Sequence, residues 1–448
     1  MAEARRAHGL THWGQGRPHS LQGSGPRAGR IRHAERLNTR HQAVGSLADL
    51  RRREAAERMI KETAMSAKTI HFKVGNGDMT LVVLESGRRI LIDCKITSAA
   101  DDPNDDAPDV GFQLRDRLKR DTDGRLYVDA FLLTHPDQDH CAGLRRHFHL
   151  GPPGSWVKAN DKIVIREMLS SPIVFRRADR KKAKDGLTLC EDAQAWRNEA
   201  RRRVRLFRSQ GWLADGDRIQ ILGEDVDGKT DDLLPILVST GSIFSTICGV
   251  TDATFKGLLL APLPTDDVDE AEVLSKNNSS VIVRLTLAAG GNTMAGRFLF
   301  GGDAEVAIWE RIRDRYKDED LTYDVLVAPH HCSWHSLSWD SWSKMREKAK
   351  VSERARSALA QAASGAIIVS SSNSILDDDR DPPCIRAKRE YEAILKPVLG
   401  PFRCVADEPG DEPLEIGVSY FGVKPSRLFV GVAGGLSTGV GGEALAHG

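Results

Sequence analysis

The sequence predicts an α+β fold in which two β-sheets pack face to face with helices on the outside. Three observations carry this expectation. Short alternating or apolar segments, typical of strands, stand at both ends of the patterned part of the chain. Segments of helical periodicity lie between them and after them. Hydrophobic residues make up 40% and charged residues 28% of the 448 residues, a balance that can bury a sizeable core,.

Taken in order, residues 1–64 are rich in Arg, Gly, His and Gln and poor in β-branched and aromatic residues, the composition of a disordered basic N-terminal extension,. Within it only residues 48–63 carry an amphipathic helical pattern. Such an arm can tether nucleic acid. A solvated tail, or upstream sequence included through an early start codon before Met65, explains it more simply. The pattern changes at Lys68. Residues 69–74 alternate as a strand, 75–78 form a Gly-Asn-Gly-Asp turn, 79–85 a second strand, Ser86-Gly87 a tight turn and 89–93 a third strand, together a meander. After an acidic loop (Asp101, Asp102, Asp105, Asp106, Asp109), a helix is expected over 112–120. Residues 128–134 are a short apolar run, read as a buried strand that ends at His135.

Residues 151–230 read as a basic insertion. One cluster holds Arg176, Arg177, Arg180, Lys181, Lys182 and Lys184, and a helix over 191–210 carries Arg197, Arg201, Arg202, Arg203, Arg205 and Arg208. Strands resume at 219–222, 235–238, 257–260, 280–287 and 297–300. A helix over 304–316, a strand at 323–328, helices within 339–363, a strand at 366–370 and a helix over 385–395 complete the pattern. Residues 431–448 form a Gly-rich flexible tail.

Bulk properties narrow the function classes. The net charge of +1 argues neither for nor against an anionic partner,. Seven cysteines, an odd number with no C-x-x-C pair, argue against a disulfide framework or a cysteine zinc cage and fit reduced thiols in the cytoplasm,. No uninterrupted apolar run reaches the roughly 18 residues of a membrane span, and the N-terminus shows no secretory h-region. A cytoplasmic protein with no membrane partner is expected.

Three segments carry chemistry. In Thr134-His135-Pro136-Asp137-Gln138-Asp139-His140-Cys141, four metal-ligating side chains fall within six residues at the end of an apolar strand. Pro136 keeps the residue before it out of helical geometry, so the segment begins as a loop able to aim His135 and Asp137 at one point and Asp139 and His140 at a neighbouring one. Mixed imidazole and carboxylate suits zinc, manganese or iron rather than calcium. In Phe298-Leu299-Phe300-Gly301-Gly302-Asp303, a strand delivers a carboxylate that either bridges two cations or caps the following helix. In Val327-Ala328-Pro329-His330-His331-Cys332, another strand delivers two imidazoles, followed by Trp334 and His335.

The order H-x-D-x-D-H, Gly-Asp and Pro-His-His resembles the metallo-β-lactamase superfamily, and within it the soluble ComEC-like metallohydrolase domains. The segments Val74-Gly75-Asn76-Gly77-Asp78, Ile90-Leu91-Ile92-Asp93 and Asn277-Asn278-Ser279-Ser280 add to the likeness, which spans about residues 68–421. The resemblance implies an αββα metallo-β-lactamase-type sandwich of two mixed β-sheets over residues 68–430. It implies one or two divalent transition metal ions, zinc or manganese, with His135 and Asp137 on the first, Asp139 and His140 on the second, Asp303 bridging, and His330 or His331 completing the second, His331 being favoured. Asp78, Asp93 and Asn278 would support those ligands from behind. Two departures stand out: Asp137 sits where many relatives have His, and no histidine lies between His149 and His330 to supply a middle-strand ligand.

A metal-dependent hydrolase using a metal-activated hydroxide follows as the expectation, with Asp139 orienting that hydroxide and His330 or His335 protonating the leaving group. The Arg-rich segment could track a phosphodiester backbone, or could be a solvated face. A phosphodiesterase or nuclease, with a phosphodiester or nucleic-acid substrate, is the leading reading. The alternatives are a small-molecule hydrolase acting on a lactone, thioester or cyclic nucleotide, and a non-catalytic metal-binding subunit.

Overall fold

A computed structural model describes residues 66–172, 189–225, 228–263 and 280–425. All of them belong to one compact unit, residues 60–448. The basic extension, the Arg176–Lys184 cluster, Asn278 and the Gly-rich tail lie outside the described residues.

The fold is α+β, with two mixed sheets. The first contains β1 (Ala67–His71), β2 (Thr80–Val83), β3 (Arg89–Ile92), β4 (Lys119–Arg120), β5 (Leu126–Leu133), β6 (Phe148–His149), β7 (Ile163–Ser170), β8 (Arg218–Leu222) and β9 (Leu237–Val238). The second contains β10 (Ile243–Phe244), β13 (Phe255–Ala261), β14 (Ile282–Ala289), β15 (Asn292–Phe300), β16 (Tyr323–Val327), β17 (Ala362–Ser370) and β18 (Phe402–Cys404), with β11 (Thr246–Ile247) and β12 (Val250–Thr251) forming a small separate ribbon. The chain then returns to the first sheet as β19 (Leu414–Ser419) and β20 (Gly422–Pro425), so the order there is β20-β19-β1-β2-β3-β5-β7-β8-β9. The second sheet runs β10-β13-β14-β15-β16-β17-β18.

Burial explains the patterns. β5 pairs in parallel with β3 and β7, and seven of its eight residues are buried. A strand covered on both faces needs a continuous apolar run rather than alternation, which Ala130 to Leu133 supplies, while the buried Asp129 before them is satisfied by the Arg89 amide and the Arg166 guanidinium. Ile92, Leu132 and Leu169 of the first sheet share a core with Val283, Phe298 and Val327 of the second. On the outer face of the first sheet Phe131 and Ile165 pack with Trp196 and Phe207. On the outer face of the second, Leu299, Leu326 and Ile368 pack with Trp309, Ile312 and Tyr391. Three apolar layers therefore separate helix, sheet, sheet and helix.

Two expectations are corrected. The described parts of the segment 151–230 are not a separate insertion: β7 pairs in parallel with β5, and β8 in parallel with β7, inside the first sheet. The helix Glu191–Gln210 between them is a crossover that covers that sheet's outer face. Its charged sequence hid an apolar stripe, Ala193, Trp196, Ala200, Val204 and Phe207, buried at helical spacing,. Further along the first sheet, the helix expected over 112–120 ends at Asp116, and Lys119–Arg120 instead pairs with the start of β5.

The connectivity places loops from both sheets together. β3 and β5 are parallel neighbours in the first sheet, as are β15, β16 and β17 in the second. Their carboxyl ends lead directly to Asp93, His135, Asp303, His330-His331 and Ser371. Loops at the carboxyl ends of parallel strands are the usual place for a site in such sheets. Among the described residues no helix is long and apolar enough to cross a membrane.

Candidate metal centre

The loop after β5 is fixed before it reaches its ligating side chains. The Thr134 amide donates to Asp93 Oδ1 at 2.7 Å and the Thr134 hydroxyl to Asp93 Oδ2 at 2.6 Å, both buried. Asp93 itself has a left-handed backbone, φ 56°. The next segment turns into a short helix, α1 (Gln138–Cys141), which carries Asp139 and His140. After β15, Gly302 has φ 50°, and a Cβ there would lie 2.8 Å from Ser280 Cβ, so the strand end needs glycine both for conformation and for space,. The Asp303 amide donates to Ser280 Oγ at 3.0 Å. The helix that follows begins at Val306 with Glu305 at its cap, so Asp303 does not cap it.

The loop after β16 is strained. His330, His331 and Cys332 all have positive φ, at 51°, 53° and 67°. A left-handed non-glycine residue costs on the order of 1–2 kcal/mol, and three in succession persist only where surroundings hold them. The His330 amide donates to Gly302 O at 2.9 Å, tying this turn to the Gly-Gly-Asp segment. The two rings diverge, with centroids 6.1 Å apart at 74°, and each reaches a different oxygen of one carboxylate. His331 Nε2 is 3.5 Å from Asp303 Oδ1 and His330 Nε2 is 3.8 Å from Asp303 Oδ2.

Asp303 is thus the hub. His140 Nε2 lies 3.0 Å from its Oδ1, and His135 Nε2 lies 3.4 Å from its Oδ2. Asp137 Oδ2 approaches His135 Nε2 at 3.7 Å, and Asp139 Oδ2 approaches His331 Nε2 at 3.3 Å. These two aspartates are over a third exposed and border the open side, whereas Asp303 and the rings of His135, His140 and His331 are buried. One ligand atom from each of Asp78, His140, Asp303 and His331 falls within 4.8 Å of the others, a group able to hold a metal ion.

The proton arrangement follows from the partners behind the rings. Asp93 accepts from His140 Nδ1 at 2.7 Å and Ser371 O accepts from His331 Nδ1 at 3.2 Å. The Thr134 hydroxyl spends its proton on Asp93, so it accepts from His135 Nδ1 at 3.2 Å. In the neutral form each ring then presents an Nε2 lone pair to the centre. Those three Nε2 atoms, with Asp303 Oδ1 and Asp78 Oδ1, are buried and lack an aligned hydrogen-bond partner despite their proximity. Buried polar atoms are seldom left so, and those of Asp78, His140, Asp303 and His331 belong to the group able to hold a metal ion.

Charge reinforces this arrangement. Burial penalises ionised Asp303, but His140, His331 and His135 around it outweigh that and hold its pKa well below the usual carboxylate range. Burial opposes protonation of His140, yet Asp303 and Asp93 overcome it and raise its pKa well above that of a free imidazole. For His331 burial is likewise overcome, by Asp303 and Asp139, and the pKa is raised. For Asp78 burial dominates and raises the pKa. For His330 burial also dominates and lowers it. The raised imidazoles of His140 and His331 thus balance the carboxylates around them.

The structure therefore brings together His135, Asp137, Asp139, His140, Asp303, His330 and His331 around one carboxylate. Asp93 stands behind His140. Asp78, read from the sequence as a supporting group, contributes an atom to the cluster itself. A carboxylate ending a Gly-Asn-Gly turn just before a strand was the available signal. His335 is directed elsewhere: it is partly exposed and pairs with Asp381 Oδ2 at 3.8 Å, and among the described residues no ion pair joins it to the central carboxylates. His147 pairs with Asp101 and His149 with Pro152 O, both away from the centre. Sequence reasoning gave no role to Thr134, Ser280 or Ser371, whose contacts are visible only in three dimensions. It also passed over Lys95, which donates to Asn76 O and lies near enough to Asp139 and Asp78 to feel their charge. Comparison of the chain with models of known protein families finds no match, and comparison with curated proteins finds none.

Proposed function

We propose that this protein is a divalent-metal-dependent hydrolase acting on phosphodiesters, built on a metallo-β-lactamase-type sandwich. The observation that carries the reading is the convergence of three imidazole Nε2 atoms and the buried carboxylates of Asp303 and Asp78, each contributing an atom with no aligned hydrogen bond. The donors fall into two groups that share Asp303. His140, His331, Asp139 and Asp78 gather on the Oδ1 side, and His135, His330 and Asp137 on the Oδ2 side. A centre for one or two ions of zinc or manganese fits this mixture of nitrogen and oxygen donors. His330 would supply the nitrogen that the missing middle-strand histidine leaves wanting.

When bound, such an ion polarises a phosphoryl oxygen and makes a water acidic enough to ionise near neutral pH. The chain's own residues position and neutralise. Asp93, Thr134 and Ser371 hold the rings in the tautomer that leaves Nε2 open. Asp137 and Asp139, on the open side, are placed to accept a proton or hydrogen bond from a bound water,. The reading needs no nucleophilic Ser or Cys.

A second reading, a hydrolase of small esters, lactones, thioesters or cyclic nucleotides, is favoured by the fate of the arginines. Arg203 is buried and bonded to Glu199, Arg218 O and Ile165 O, and Arg202 is held by Glu199 and Asp217. Arg208 pairs with Asp232. Three of the helix's arginines are thus committed to partners within the chain rather than to a polyanion. The test is elemental analysis of the purified protein after dialysis against zinc and against manganese, followed by turnover of a chromogenic bis-phosphodiester and of an oligonucleotide. Bound metal and phosphodiester turnover are expected, with Asp303→Ala removing most of both. A folded protein that retains neither metal overturns the reading. Metal retention with turnover of a lactone or thioester only moves the second reading ahead.

A further inference from the structure

Two cysteines with no part in the centre meet directly beside it. Cys141 ends α1 and is the residue after His140. Cys190 is the N-cap of the crossover helix α2 (Glu191–Gln210). Their sulfurs are 3.6 Å apart. Cys141 is buried, and Cys190 is half-buried. The backbone around them is fixed from both sides: the Asp192 carboxylate in the first turn of α2 accepts from the Gly143 amide and from the Arg145 amide, each at 3.0 Å. The spacing of the two thiols is therefore set by how α2 is bolted to the segment that follows α1.

We propose that Cys141 and Cys190 are a redox dithiol that closes to a disulfide with a peroxide, and that closure weakens the metal centre by shifting Asp139 and His140. The dithiol stands on the sulfur geometry alone, and the effect on the centre rests on the metal-centre reading above.

The chemistry suits the two positions. Cys190 is the accessible member. The hydrogen bond from Cys141, and those from the Ala193 and Asp192 amides at the start of a 20-residue helix, stabilise its thiolate against burial and bring its pKa to about 6,. That thiolate attacks one oxygen of the peroxide, the O–O bond breaks, and the departing oxygen leaves as water after taking up a proton, giving a sulfenic acid on Cys190. Cys141 then attacks the Cys190 sulfur. The S–O bond breaks, and the hydroxyl departs as water with the Cys141 thiol proton. Two thiols have lost two electrons to one peroxide, and two waters have formed.

Closure has a geometric consequence. A disulfide needs its sulfurs about 2.05 Å apart, so the 3.6 Å separation must shrink. α2 buries Trp196, Ala200 and Phe207 against the first sheet and is the less movable partner. α1 has a single turn, and the shift falls on it. The Cys141 sulfur lies 3.1 Å from Asp137 O, and the same single turn carries Asp139 and His140 immediately before Cys141, so a pull on Cys141 reaches both. Displaced support of this kind typically weakens metal affinity about 10–100-fold.

The full-length protein is loaded with zinc, which has no redox chemistry of its own, and treated with hydrogen peroxide. Peptide mapping is expected to recover Cys141 joined to Cys190, reversed by a phosphine reductant. Zinc affinity is expected to fall about tenfold or more on oxidation and to recover on reduction. Cys190→Ser, which keeps a helix cap, should form no link and hold its zinc affinity through the treatment. Cys141→Ser should leave a sulfenic acid on Cys190 that a dimedone probe captures. Wild-type protein in which Cys190 is oxidised but not joined to Cys141 overturns the dithiol. A mapped link with unchanged zinc affinity overturns the effect on the centre. Protein that binds no zinc in either state, yet forms the link, refutes the metal-centre reading and with it the effect on the centre, while the dithiol holds.

Discussion

At the scale of single residues, the centre is built from side chains whose roles are set by what stands behind them. Asp93 is the clearest case. It is buried, takes two hydrogen bonds from Thr134, and accepts the Nδ1 proton of His140. Replacing it with Asn keeps the shape but allows the amide to present a donor to Nδ1, which destabilises the tautomer that opens Nε2. Zinc affinity of Asp93→Asn is expected to fall about 10–100-fold, measured by competition with a chromophoric chelator. An unchanged affinity would show that His140 is oriented by other contacts. The neighbouring His330-His331 pair illustrates the limit of reading residues one at a time. Adjacent side chains ordinarily diverge, and the sequence leaves one of them to be chosen. Three successive left-handed residues let both rings face the same carboxylate.

At the scale of elements, the crossover helix Glu191–Gln210 changes meaning once its faces are known. Arg203 is 1% exposed and its guanidinium is committed to Glu199 and two carbonyls. Removing one member of a buried ion pair strands the other, at about 3–5 kcal/mol. Arg203→Ala should therefore lower the urea-unfolding free energy by that amount, whereas Arg205→Ala, at an exposed position, should change it by less than about 0.5 kcal/mol,. Equal, small effects would show that the Arg203 contacts do not support the helix. β1 gives the matching case for a strand. Its His71 is fully buried between the hydroxyls of Thr69 and Thr80, and burial lowers its pKa to about 3. A histidine depressed in the folded state stays neutral while the unfolded chain takes up a proton, so stability is full above the unfolded value of 6.5 and is lost as pH falls toward 3,. Within that window the loss approaches about 1.4 kcal/mol per pH unit. His71→Gln should be less stable than the parent at pH 8 and show a shallower decline between about pH 6 and 4 in thermal melts. Parallel declines in the two proteins would mean that His71 is not the group titrating.

At the scale of the whole molecule, two sheets converge their strand ends on one rim, and the described strands begin with β1 at Ala67. β1 lies between β19 and β2 in the first sheet, so the N-terminal strand is held on one edge by the next strand in the chain and on the other by a strand from its far end. The described structure starts at Ser66, one residue before β1. A chain starting at Met65 should match the full chain in melting temperature to within about 2 °C, a shift worth roughly 1–2 kcal/mol in a protein of this size, whereas one starting at Asn76, lacking β1, should not fold. A marked drop for the first truncation would show that the basic extension contributes to the fold.

The sequence by itself determined the α+β class, the position of most strands and the long helices, and the three segments that carry the chemistry. Each of these is written locally: a doubly buried strand end such as Ala130 to Leu133 must be an apolar run, and a ligand-bearing loop announces itself by the residues crowded after it. The sequence misplaced residues 151–230, because the Arg-rich surface of the crossover helix outweighed the stripe that packs it on the sheet. It also left open which of His330 and His331 faces the centre and assigned Asp78 a supporting position. Those questions were decided only by the tertiary structure. Whether Asp78 reaches the cluster depends on β-pairing that brings residues 78, 140, 303 and 331 to within 4.8 Å. Whether Arg203 meets solvent depends on which face of α2 the first sheet covers. A distance between residues hundreds of positions apart is fixed by packing, and packing has no local signature.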